Sequence, residues 1–334
     1  MKAVVMHEFG GPEVLRYEDF PMPLPGPGEV LVEVHAVSVN RTLDLVVRAG
    51  QYGAPVTLPH ILGVDPSGVI AAVGSGVTER MVGERVVTLP WRGKPVGPLD
   101  AVGMQHLGGY AEFVKLPASA TVPIPDGLGF AEATIVTRHA PQAFNLLRDR
   151  AGLKPGESVL VMGASGGLGS AGVQVAKLMG ATVIAGAGAP DRVAAAIALG
   201  ADHGVDYRAE DPTARVLELT DGRGVDVVFE NIADPVLFPQ AFHAIARHGR
   251  LVTAGSHGGG EVPLDVKRLY LYQIAVMGSL GFTHEDVVAS LDAAARGEFG
   301  VLIDDVLPLR EAAEAHRRVA GRGGVGKMVL SPKL

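Results

Sequence analysis

The sequence predicts an α/β protein in which a doubly wound parallel sheet of six strands is inserted in a β-rich, barrel-like domain. Three observations predict this. Residues 159–179 run from an apolar stretch through a glycine-rich turn into a helix-period segment, the order of a strand handing over to a helix. From there to about residue 282, apolar strands alternate with helices, whereas residues 1–125 carry short strands separated by Gly and Pro clusters. The 334 residues also exceed what one ordinary core organises, so two domains are expected.

In order along the chain, apolar or alternating runs at 4–6, 29–37, 68–73, 85–89 and 110–114 predict strands, with turn clusters such as residues 21–28 between them. No regular helices intervene, which points away from a parallel sheet. After Pro117 the pattern changes. Helix-length segments fill 130–150, and strands are expected at 158–162, 182–185, 204–206, 225–229, 250–253 and 275–278. Helices are expected between them at 169–179, 192–199, 213–220, 236–246 and 265–270, which is the arithmetic of a complete dinucleotide-binding fold. The remainder carries helices near 287–296 and 309–320 and strands near 301–307 and 327–330 that return to the first domain. The expected division is therefore 1–125 plus 283–334 for one domain and 126–282 for the other.

The turn after the first of these six strands is a seat for an anion. Free N–H groups at a helix N-terminus, together with about half a positive charge from the helix dipole, meet a pyrophosphate there. Ala164, Ser165, Gly166, Gly167, Leu168 and Gly169 form the turn, and aligned to GxGxxG the key positions are Ala164, Gly166 and Gly169. The next strand ends Ile184-Ala185-Gly186-Ala187-Gly188, with no carboxylate before Asp191 to take ribose hydroxyls. Arg192 follows, and its fork suits a 2'-phosphate, so NADP(H) is the expected cofactor. Lys177, two turns past the glycines, is expected to lie along its own helix.

Composition excludes several classes. With 29 basic and 36 acidic residues the net charge is -7, against a nucleic-acid or anionic-membrane partner. Cysteine is absent, so disulfides and thiolate metal sites are excluded. The first residues lack the apolar core of a signal peptide, and cytoplasmic residence is the default expectation.

The motifs Gly11-Pro12-Glu13-Val14-Leu15, Pro25-Gly26-Pro27-Gly28-Glu29-Val30, Leu62-Gly63-Val64-Asp65-Pro66-Ser67-Gly68, Gly108-Gly109-Tyr110-Ala111-Glu112, Ala151-Gly152-Leu153-Lys154-Pro155-Gly156-Glu157 and Gly326-Lys327-Met328-Val329-Leu330 run along essentially the whole chain. With them the sequence resembles the zinc-free quinone oxidoreductase branch of the medium-chain dehydrogenases/reductases, the branch that includes zeta-crystallin. The resemblance implies a Rossmann sheet inserted in a GroES-like domain. It also implies NADPH giving hydride to a quinone or an α,β-unsaturated carbonyl compound. Matching by motif, Asn40, Val64 and Arg138 stand where the zinc-dependent alcohol dehydrogenases place their catalytic ligands, so no metal is expected.

Carried over residue by residue, the resemblance places Arg192, Tyr207 and Arg322 around the adenosine phosphate. Asn231, Gly255, Ser256 and the turn Ser279, Leu280 and Gly281 fall on the nicotinamide side. Tyr52 is singled out as proton donor, with pocket lining as its other role, and Asn40 as the asparagine facing the nicotinamide. The family writes Asn-x-x-Asp where this chain has one residue more between Asn40 and Asp44, and Asp44 also suits a helix cap. Trp91, Arg92, Arg138, His139 and Tyr270 are further substrate-pocket candidates, Arg138 for a carboxylate or enolate oxygen. His243, His248 and His316 read as solvated histidines. The apolar run 274–277 is expected to pair with its twin in a homodimer. An alcohol dehydrogenase of the same superfamily and a non-catalytic NADPH-binding protein are the competing readings.

Overall fold

A computed structural model describes residues 1–89, 101–321 and 324–334. The expectations at Trp91, Arg92 and Arg322 lie outside the described residues. The chain divides into two units. One comprises Met1–Arg138, Leu291–Ala295 and Ile303–Leu334, the other His139–Ser290 and Arg296–Leu302.

The first unit opens with β1 (Lys2–Met6), β2 (Leu15–Asp19), β3 (Glu29–Ser38), helix α1 (Asp44–Arg48), β4 (His60–Ile61), β5 (Ser67–Val73), β6 (Arg85–Thr88), β7 (Phe113–Pro117) and β8 (Thr121–Pro123). Helix α2 (Phe130–Phe144) carries the chain from this unit into the other. The long strand β3 organises the unit, pairing antiparallel with both β5 and β7. Its apolar residues Val30, Val32 and Val34 meet Ile70, Val86 and Leu116 in one core. A smaller sheet, ordered β2-β1-β4, closes a second core around Met6, Ile61 and Tyr110.

In the second unit, β9 (Ser158–Met162), α3 (Gly167–Leu178), β10 (Thr182–Ala187), α4 (Pro190–Ala198), β11 (His203–Asp206), α5 (Pro212–Leu219), β12 (Val225–Glu230), α6 (Leu237–His243), β13 (Ile245–Thr253), α7 (Val266–Tyr272) and β14 (Ala275–Gly278) follow in alternation. Every strand pair is parallel, and the order β11-β10-β9-β12-β13-β14 reverses direction beside β9, as doubly wound sheets do. Strand β9 is wholly buried, which is why its sequence reads as an uninterrupted apolar run. Small residues on α3 let it approach the sheet closely: a Cβ on Gly172 would stand 3.0 Å from the Phe229 ring. Asp211 caps α5 by accepting from Thr213 N at 2.7 Å.

Helix α8 (His284–Ala295) leads to β15 (Ile303–Pro308), α9 (Ala312–Gly321) and β16 (Lys327–Ser331). The last strand pairs antiparallel with β3, through Val329 with Ser38 and Leu330 with Val37, so the chain's final strand completes the first unit's large sheet. Among the described residues no helix is long and apolar enough to cross a membrane.

Candidate active site

At the end of β9 the backbone turns through Gly163 with φ +68°, and Ala164 N returns to Gly186 O at 2.9 Å. Gly166 is the N-cap of α3, with an extended backbone and no side chain to block the approach. The first-turn N–H groups of Gly167, Leu168 and Gly169 have no intrahelical acceptors. A Cβ on Gly169 would fall 2.1 Å from Gly163 O, so this position admits only glycine at the observed packing, whereas one on Gly166 would meet only Gly163 O, at 3.4 Å. Gly167 lies under the His139 ring, 2.3 Å from a constructed Cβ to Nε2. The turn therefore fits a bound pyrophosphate on its own geometry.

Around this turn the predicted residues of the second unit fall into two groups. Strand β10 ends beneath Tyr207, whose ring would come within 2.8 Å of a Cβ on Gly188, and half-buried Arg192 stands in the first turn of α4. Lys177 is committed elsewhere, with both Asp202 oxygens at 2.8 Å from Nζ. At the end of β12, buried Asn231 donates from Nδ2 to Met162 O at 2.5 Å, tying two strand ends together. A Cβ on Gly255 would stand 2.1 Å from Asn231 O, so the chain leaving β13 needs glycine there. Gly281 N donates to Gln142 Oε1 at 3.0 Å and Ser279 Oγ donates to Asn145 Oδ1, which pins the Ser279 to Gly281 turn onto α2 and the segment after it. Tyr270 is 64% exposed on α7, a helix without buried residues. Sequence reasoning missed Glu230, a buried carboxylate that ends β12 just before Asn231. It accepts from Ile232 N at 2.8 Å and Ala233 N at 2.9 Å, and burial pushes its pKa up.

The first unit holds a buried polar centre. Asn40 follows β3, and its Nδ2 donates to Asp65 Oδ2 at 3.0 Å while its Oδ1 accepts from Lys327 Nζ at 2.7 Å. Asp65 also accepts from Ser38 N at 2.8 Å and from Ser38 Oγ at 2.6 Å. The Asp44 carboxylate turns back to accept from Asn40 N at 2.7 Å and Gly63 N at 3.1 Å. It does not cap its own helix, which corrects the capping reading: α1 has no side-chain cap bond. The extra residue between Asn40 and Asp44 is thus absorbed in a loop closed on itself. Burial and then the charge of Asp65 raise the Asp44 pKa, while burial lowers that of Lys327 against the pull of Asp65 and Asp44.

Half-buried Tyr52 packs at the edge of the core around Met6 and Tyr110. Burial raises its pKa, and the Arg138 guanidinium opposes that rise. Behind Asp44 runs a chain that the sequence did not announce. Arg48 Nη1 stands 3.1 Å from His316 Nδ1, and His316 Nε2 stands 3.1 Å from Tyr110 Oη. A guanidinium only donates, so Nδ1 accepts and Nε2 carries the proton toward Tyr110. His316 is fully buried, a correction to the solvated reading. It shares a face of α9 with Ala312 and Ala315, a spacing from which its burial was legible.

The family models agree with this geometry. "Alcohol dehydrogenase GroES-like domain" matches residues 26–126 and "Zinc-binding dehydrogenase" residues 167–296. A quinone oxidoreductase of Pseudomonas aeruginosa strain PAO1 is 33% identical over 99% of both chains. The chain belongs to the quinone oxidoreductase branch of the medium-chain dehydrogenases/reductases. This oxidoreductase family also includes a 2-haloacrylate reductase of a Burkholderia species, 30% identical over 99% of both chains. A solved structure described as an NAD-dependent alcohol dehydrogenase is 36% identical over 99% of both chains, with a TM-score of 0.93.

The name of the second family model raises the question of zinc, and the residues here do not fit it. Asn40 spends its oxygen on Lys327, Val64 has no donor atom, and Arg138 is a cation. Among the described residues no three His, Cys, Asp or Glu side chains gather as metal ligands. A nicotinamide cofactor does fit, on the open glycine cradle at the α3 N-terminus.

Proposed function

We propose that this family member is a metal-free, NADPH-dependent reductase of quinones or α,β-unsaturated carbonyl compounds. The observation that carries the reading is the donor set at the zinc-ligand positions: an amide hydrogen-bonded to lysine, a valine and an arginine. Without a Lewis acid the substrate must be activated by its own conjugation, and the protein need only orient it and stabilise the developing enolate. When bound, the reduced nicotinamide supplies hydride. The glycine turn holds the pyrophosphate, and Arg192 with Tyr207 takes the adenosine phosphate in the place where an NAD enzyme has an acid. Tyr52 donates the proton, being a phenol at neutral pH and staying one into alkaline solution because burial raises its pKa. Arg138 balances the negative charge that grows on the carbonyl oxygen.

The competing reading, an NAD-linked alcohol dehydrogenase, is favoured by the description of the 36% identical structure. Fluorescence titration with NADPH and NADH, followed by a panel of enones, quinones and alcohols, separates the two. NADPH should bind about 100-fold tighter, and Arg192→Ala should erase that preference. Tighter NADH binding with alcohol turnover would reverse the proposal.

A homodimer is part of the same proposal. Strand β14 is the terminal strand of its sheet, and Val276 on it is 40% exposed. Such an edge is covered when a second copy extends the sheet across a two-fold axis.

A further inference from the structure

Arg138 lies on α2, one helical turn beyond Thr134, whose Oγ1 is 2.9 Å from both Asp65 O and Ser67 Oγ. The i, i+4 spacing places the two residues on the same helix face, toward Asp65. The carboxylates whose charge reaches Arg138 are Asp65 and Asp44. Both are saturated by other donors: Asp65 by Ser38 and Asn40, Asp44 by the N–H groups of Asn40 and Gly63. Neither lies within ion-pair distance of the guanidinium, and among the described residues Arg138 makes no hydrogen bond or salt bridge, although it is half-buried. A planar fork of donors on a half-buried cation that no carboxylate pairs is a ready seat for a bidentate anion.

We infer that Arg138 is the anchor for a carboxylate on the substrate, so that the favoured substrates are α,β-unsaturated acids in which the carboxylate is conjugated to the double bond. The inference rests on the reading of the chain as a reductase of conjugated carbonyl compounds. A carboxylate is a poor acceptor because hydride addition puts a second negative charge on its oxygens. A bidentate guanidinium meets that charge, and Lys327 adds a second cation nearby. In the balanced step the C=C π bond breaks. Hydride from the reduced nicotinamide forms a C–H bond at the β-carbon, and a proton from Tyr52, restored from solvent, forms one at the α-carbon. The products are the saturated acid and the oxidised nucleotide.

The test uses the full chain with cinnamate, its neutral methyl ester and the saturated acid 3-phenylpropanoate. Wild type should prefer cinnamate over methyl cinnamate in kcat/KM by at least about tenfold, and Arg138→Gln should lower that preference about 100-fold. Arg138→Lys, which keeps the charge but loses the fork, should recover part of it. Calorimetry of 3-phenylpropanoate in the presence of NADP+ gives a readout independent of turnover, with affinity falling at least about tenfold in Arg138→Gln. Reduction of methyl cinnamate with neither the preference nor 3-phenylpropanoate affinity moved by Arg138→Gln would overturn the anchor and leave the reductase reading standing. Failure to reduce cinnamate, its ester and every member of the enone and quinone panel, with Arg138-dependent binding of 3-phenylpropanoate intact, would keep the anchor and overturn the reductase reading.

Discussion

Lys327 Nζ donates to Asn40 Oδ1 at 2.7 Å and to Val39 O at 2.9 Å, joining the last strand of the chain to the loop that follows β3. The bond decides which way the Asn40 amide points: its oxygen faces the ammonium, and its NH2 group faces Asp65.

Lys327→Met removes the cation from beside Asp65 and Asp44 while keeping the aliphatic stem. Breaking a buried charge network from one side is expected to cost about 3–5 kcal/mol. Urea denaturation measures the loss, and Asp65→Asn in the same background should recover part of it. A loss below about 1 kcal/mol would mean that the ammonium is not the partner of these carboxylates.

Burial, with a smaller contribution from the Arg48 charge, lowers the His316 pKa from 6.5 to about 3. The unfolded chain therefore binds more protons than the folded one between those values. The stability contribution is complete above pH 6.5 and is lost as pH falls toward 3, by an amount of order 4 kcal/mol. His316→Gln retains an acceptor for Arg48 and a donor for Tyr110 but does not titrate. Its stability should fall less steeply between pH 6.5 and 4, and curves that stay parallel would contradict a neutral buried imidazole.

Gly166 and Gly169 separate fold from function in the glycine turn. Gly169→Ala places a methyl group on a backbone oxygen and should cost about 1–3 kcal/mol. Gly166→Ala meets only Gly163 O at 3.4 Å, so stability should change by less than about 0.5 kcal/mol. Nucleotide affinity should nevertheless drop at least about tenfold, as the methyl group enters the anion seat. Unchanged NADPH affinity in Gly166→Ala would move the pyrophosphate elsewhere.

Tyr52→Phe should lower kcat for enone reduction about 100-fold or more, with the NADPH dissociation constant unaltered. The wild-type rate should hold into alkaline solution beyond the ordinary tyrosine range, because burial raises the Tyr52 pKa. An unimpaired Phe variant would reduce Tyr52 to lining.

Val276→Lys introduces a charge on the terminal strand of the parallel sheet. Light scattering should find a dimer for the wild type and a monomer for the variant. A wild-type monomer would exclude pairing along this edge.

The parallel sheet is legible in its central strands because they are buried on both faces, β9 completely, whereas the largely exposed β14 is legible from its apolar run alone. Strands 158–162 and 275–278 were bounded as observed, and every other strand of that sheet was located. The small strand β2, Leu-Arg-Tyr-Glu-Asp, escaped notice because it is an exposed edge whose burial barely alternates. Strand β13 begins five residues earlier than the expected 250, through the polar segment Arg247-His248-Gly249, where His248 takes a positive φ of 61°. At the polar centre, Asn40 and Arg138 could be singled out by motif, but their partners could not. Lys327 read only as a motif residue at the start of a strand, Asp65 only as a motif residue, and Tyr110 and His316 meet across 206 positions of sequence. Local pattern carries no information about such encounters.

The pairing of β16 with β3 has a consequence for biosynthesis. The ammonium that Asn40, Asp44 and Asp65 gather around is separated from Asn40 by 287 positions. While the ribosome is still making the middle of the chain, those acids have no cation from this strand and the large sheet lacks a neighbour for β3. The N-terminal portion must wait until Lys327–Ser331 has emerged, and nascent chains stalled before β16 should be prime clients for chaperones and proteases.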